Sequence, residues 1–155
     1  MGQGRVSLWL EITGAIGIIA SLALVALQIR QNTDALSAQA VLSLNGAYGQ
    51  THLLVASDPG FADLLTRAED GVIPLSPVEM TRIRSWTFSR VRVLESAYQF
   101  YKKGIIEEID YAGWREVTCA MVTHPGEGQV FRRFKTFYNP EFVNYAETSC
   151  KRSSP

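Results

Sequence analysis

The chain has 155 residues, with 15 Lys and Arg against 15 Asp and Glu, so the formal net charge is zero. That balance excludes a general nucleic-acid binder, which needs clustered excess cations, and two cysteines are too few for a disulfide scaffold. A mean hydropathy of +0.01 is high for a chain with one apolar segment, so the remainder must also bury much apolar surface.

The first element is the apolar run from Leu8 to Leu27. From Ile12 onward it carries no charge and only the hydroxyls of Thr13 and Ser21. At 1.5 Å per residue it makes about 30 Å of helix, the thickness of a bilayer core. It is longer than the apolar part of a signal peptide, so it is expected to remain as a single transmembrane anchor over 1–30. Thr13, Gly17 and Ser21 are spaced by four and share a face on which helix backbones can approach closely, which makes them the candidate helix–helix contact in the membrane. Trp9, Gln28, Arg30 and Asn32 are expected to form an interfacial collar against membrane lipid, with Glu11 snorkelling at the same boundary. Flanking charge is nearly balanced, Arg5 and Glu11 before the run and Arg30 and Asp34 after it. The positive-inside rule thus discriminates little, and the cytoplasmic side is favoured for the body.

Nothing between Gln28 and Ala56 breaks a helix except Gly46 and Gly49, so one helix is expected from Leu8 to Ala56, ended by Ser57-Asp58-Pro59-Gly60. A short helix follows over Phe61–Glu69, stopped by Asp70-Gly71. Ser76-Pro77-Val78-Glu79 has the form of a capping box with proline at the first helical position. The helix it starts should run to Lys103, with Gly104 as a left-handed stop. Met80, Ile83, Thr87, Val91, Leu94, Tyr98 and Tyr101 form its apolar stripe. Trp86, Val93, Ala97 and Phe100 widen that stripe enough to meet more than one neighbour. Arg90 falls within this arc and needs an acidic partner. Glu95 is the candidate for a buried ion pair, although its spacing suits Arg92 or another helix better.

Asp110 can cap a fourth helix carrying Trp114, Val117, Cys119, Met121 and Val122, which His124-Pro125-Gly126 ends. Cys119 reads as a small core residue. Val130–Tyr138 is expected to be helical and basic on one side, through Arg132, Arg133 and Lys135. Asn139-Pro140 starts a last helix with Phe142, Val143 and Tyr145. The fold class is therefore all-α: a transmembrane helix continuing into an α-helical bundle over 31–150, with a disordered tail over 151–155.

No catalytic, metal or cofactor motif is present. His52 and His124 have no ligands at metal spacing, Gly126-x-Gly128 follows a helix rather than a strand, and there is no nucleophile-elbow pattern. No cofactor and no enzymatic activity are expected. Function is expected to lie in non-enzymatic interaction, as an accessory subunit of a membrane complex or as a self-assembling scaffold. Its partners would be membrane lipid and either other membrane subunits or itself. The alternative is a membrane-tethered small-molecule sensor, with a pocket between the Trp86/Tyr98/Tyr101 helix and the Trp114 helix.

The motif Gln28-Ile29-Arg30-Gln31-Asn32-Thr33 after an N-terminal span resembles a widespread family of uncharacterised bacterial single-span membrane proteins. The resemblance continues through Ser21-Leu22, Glu95, Tyr98, Gly104, Trp114, His124-Pro125-Gly126 and Pro140-Glu141-Phe142-Val143. Phe131 stands where that pattern has a tryptophan, and Asp34 where a basic residue is commoner. The resemblance implies a bacterial inner-membrane protein with this architecture and assigns no activity.

Overall fold

A computed structural model describes residues 3–70 and 75–150, with side chains over 14–68 and 75–150. Every regular element among the described residues is helical. They are α1 (Gln3–Ser57), α2 (Pro59–Asp70), α3 (Pro77–Lys102), α4 (Glu108–Thr123), α5 (Pro125–Phe134), a 3-10 turn over Lys135–Phe137, and α6 (Pro140–Ser149). The chain divides into two compact units, Met1–Ala38 and Gln39–Pro155. The tail expected over 151–155 and the Gly71 stop lie outside the described residues, as do the side chains of Trp9, Glu11 and Thr13.

In the first unit no proline interrupts α1, and Ile16, Ile18, Ile19, Leu22, Leu24, Val25 and Leu27 are all exposed. α1 is the one helix among the described residues that is long and apolar enough to cross a membrane.

The second unit is a helical bundle centred on α3. Its capping box forms as the sequence specifies: the Glu79 backbone N–H donates to Ser76 Oγ (3.3 Å), and the Ser76 N–H donates to Glu79 Oε2 (2.9 Å). Arg67 of α2 donates to the other Glu79 oxygen at 2.7 Å. That guanidinium first, and Ser76 second, hold the Glu79 carboxyl down at about 2. Because the folded value lies below the ordinary 4.5, the contribution of Glu79 to stability is complete above pH ~4.5 and is lost as pH falls towards 2. An NMR titration of this carboxyl should show the low midpoint, and an ordinary one would remove the bridge from the account.

The wide stripe of α3 meets several neighbours, as its breadth requires. Ile83 and Trp86 pack with Phe61, Leu64 and Leu65 of α2. Val91, Leu94, Ala97 and Tyr98 pack with Tyr111, Trp114 and Met121 of α4, Phe131 of α5, and Phe142, Val143 and Ala146 of α6. Met80, at the first turn, is exposed rather than part of the stripe. Gly104 takes φ +66°, the left-handed stop expected of it.

Two boundaries differ from expectation. α4 starts at Glu108 with Glu107 as its cap, one turn before the position expected from Asp110. α5 starts at Pro125, not Val130. His124 ends α4 and caps α5, its ring Nδ1 accepting from the Gly126 N–H, while Pro125 occupies the first turn of α5. The corner is tight because Gly128 of α5 sits against the end of α4, where a Cβ would overlap the Val122 carbonyl oxygen. Gly128→Ala should therefore cost at least about 1–3 kcal/mol by overpacking, read from a denaturant midpoint; an unchanged midpoint would mean the corner can open freely.

Cys119 and Cys150 form a disulfide, with Cα atoms 4.9 Å apart, that ties the end of α6 to α4. Cys119 is therefore a cross-link as well as a buried core residue. Its partner comes within reach only because α4 and α6 pack side by side.

Candidate functional site: a groove between α1 and α3

On α3, Ser85, Ser89 and Ser96 fall on one outward side. Ser89 donates its hydroxyl to the Ser85 carbonyl (3.1 Å) and Ser96 to the Arg92 carbonyl (2.9 Å), so these side chains fold back on their own helix and leave a low surface. Facing them on α1 are Ser43, Ala47, Gln50 and Leu54, at spacings of four, three and four.

α1 is tied to the bundle by the buried Leu44, which packs in one core cluster with Val91, Leu94 and Ala97 of α3, and by ring contacts to α3 and α4. Tyr48 of α1 meets Trp114 edge-on, with ring centres 5.4 Å apart, and the Trp86 indole N–H donates to the Thr51 carbonyl at 3.2 Å. Beside these contacts lie two adjoining hollows. One of about 600 Å³ is lined by Ala47, Gln50, Leu54, Phe61, Ser85, Trp86 and Ser89. One of about 210 Å³ is lined by Ser43, Leu44, Ala47, Val93, Ser96 and Phe100. They share Ala47 and Val93, and together follow α3 from Thr81 to Phe100, about 28 Å at the helical rise. The lining is mostly apolar, with Ser43, Ser85, Ser89, Ser96 and Gln50 among it and one arginine in each hollow, Arg82 in the larger and Arg92 in the smaller. At one end Arg82 and Asp58 pair at 2.6 Å. The Phe61 backbone N–H first, and Arg82 second, keep the Asp58 carboxyl below its ordinary value.

Behind the groove lies the charge that the α3 stripe encloses. Arg90 pairs with Glu127 of α5, donates to the Tyr48 hydroxyl (2.8 Å), and lies over the Trp86 ring at 4.7 Å. The expected Arg90–Glu95 pair does not form. Five helical positions turn through about 500°, so the two side chains leave α3 on different sides. Glu95 instead takes Arg92 Nη1 at 2.7 Å and the Asn139 backbone N–H at 2.5 Å, joining α3 to the start of α6. This is an ion pair that closes the bundle, not a ligand site.

The position between α3 and α4, expected for a sensor pocket, is filled. Tyr101 stacks on Tyr111 with ring centres 4.5 Å apart, and Tyr98 stacks on Tyr145 at 4.7 Å. Burial drives the Tyr111 phenol well above its ordinary value. These rings are core, not a lined cavity. Gly17 has open space where a side chain would stand, and Ser21 donates to the Gly17 carbonyl at 2.8 Å, which keeps that face small. Gln28, Arg30 and Asn32 are exposed on α1. The groove was missed from sequence, although the ladder of small residues Ser85, Ser89 and Ser96 was a readable sign of it.

No family model, curated protein or solved structure matches this chain.

Proposed function

We propose that this chain is a single-pass membrane protein of the bacterial inner membrane that acts without catalysis, as an accessory subunit or a self-assembling scaffold whose bundle receives a helix. The observation that carries this reading is the groove between α1 and α3: long, mostly apolar, and open along about five turns of α3. Helix-in-groove recognition uses surfaces of this kind. Thr13, Gly17 and Ser21 would supply the contact within lipid, and Trp9, Gln28, Arg30 and Asn32 the collar.

The disulfide supports placing the bundle on the oxidising side of that membrane, since such bonds persist in oxidising compartments and are rare in the cytosol. This replaces the cytoplasmic placement expected from sequence, where flanking charge is nearly balanced. The test of function is native mass spectrometry of the chain extracted gently from its own membranes. A complex of fixed stoichiometry is expected, lost on filling the groove with Ala47→Phe and Ser89→Phe, or on Gly17→Leu. A monomer in every preparation would overturn the reading.

The sensor reading keeps one supporting observation, a hollow of about 600 Å³, which is of small-ligand size. It predicts thermal stabilisation by a small molecule that is abolished by the same groove-filling pair.

A further inference from the structure

A second surface of the bundle lies on the far flank of Ser85. Phe88 of α3, Phe134 of α5 and exposed Phe137 (61% exposed) of the 3-10 turn line a shallow cup of about 360 Å³ with Arg84 and Ser85. Arg84 and Arg133 both lie over the Phe134 ring, at 5.7 and 5.8 Å. Neither has a carboxylate partner among the described residues, whereas Arg67, Arg82, Arg90, Arg92 and Arg115 all do. An aromatic cup flanked by two uncommitted guanidiniums suits an apolar side chain carried between carboxylates.

The bundle itself exposes such a segment at the start of α4. Ile109 is the most exposed large apolar side chain among the described residues, at 81%. Glu107 and Asp110 flank it and have no basic partner among the described residues, and the Glu107 side chain makes no capping hydrogen bond. Arg84 and the end of α3 at Lys102 are eighteen residues apart, about 27 Å along the helix, and the acidic segment follows that end. The two surfaces therefore cannot meet within one chain.

We propose that they meet between chains: Ile109 of one copy seats in the Phe88/Phe134/Phe137 cup of the next, with Glu107 and Asp110 on Arg84 and Arg133. The contact joins unlike surfaces, so it propagates head to tail. It is small, and depends on anchoring in one bilayer to raise the local concentration of copies. The inference rests on the self-assembling form of the function proposed above.

The test is photo-crosslinking of the full chain in native membranes, with p-benzoylphenylalanine replacing Ile109. A crosslink to the segment 131–138 of a second copy is expected. Arg84→Glu with Arg133→Glu should lower its yield about tenfold or more, as should Glu107→Arg with Asp110→Arg. Co-expression of the two reversed variants, with the crosslinker on the Glu107→Arg/Asp110→Arg chain, should restore it. No crosslink, or one indifferent to charge reversal, overturns this contact. If native mass spectrometry still finds a complex in that case, the interaction reading survives without it; a monomer by both methods removes both.

Discussion

Removing Glu127 is expected to destabilise the bundle by about 3–5 kcal/mol, because the Arg90 guanidinium is then left largely buried without its carboxylate. The two side chains are 13% and 10% exposed, and they join α3 to α5 directly behind the groove. Glu127→Ala leaves without its carboxylate a guanidinium stacked between Trp86 and Tyr48, and Arg90→Met removes that guanidinium from Glu127. The double variant Arg90→Met/Glu127→Leu should recover most of the loss, since two apolar groups of similar size need no mutual charge. Urea unfolding followed by circular dichroism reads all three. A cost of less than about 1 kcal/mol for Glu127→Ala would mean that water reaches the pair.

Loss of the disulfide is the other large effect. Cys119 and Cys150 close a loop of 31 residues, for which the entropy of the unfolded chain alone gives about 3–4 kcal/mol. Cys119→Ser with Cys150→Ser should lower the unfolding midpoint accordingly. Acid-quenched cells offer a second measurement. Thiols in the denatured chain should resist alkylation until a reductant is added, and then take two labels. Two labels without reductant would return the bundle to a reducing compartment.

What the sequence disclosed follows the range of the interaction concerned. Ser76-Pro77-Val78-Glu79 was legible because a capping box closes within four residues. Gly104 and Asn139-Pro140 were legible for the same reason. His124-Pro125 misled because proline both follows helices and begins them. It was read as the end of one helix, and it is also the start of the next. The partner of Arg90 lies 37 residues away on another helix, beyond any local rule. The Cys119–Cys150 pairing likewise depends on α4 and α6 being neighbours. The groove was hardest to read because it is a gap. It lies beside Ala47 of α1 and Ser85 and Ser89 of α3, small residues that carry no motif of their own.

The sparse packing of α1 also fixes how firmly it is held. Within the bundle, α1 fully buries only Ala40, Leu44 and Thr51 among the described residues; Val41, Tyr48 and Val55 pack partly buried against the core, and Trp86 and Arg90 bond to Thr51 and Tyr48. A helix with so little buried surface opens at a lower free energy than the domain unfolds. Its amides should exchange with solvent before those of α3 and α4. Whatever settles in the groove adds its binding free energy to that opening, so exchange along this stretch of α1 becomes a direct reading of whether the groove is full.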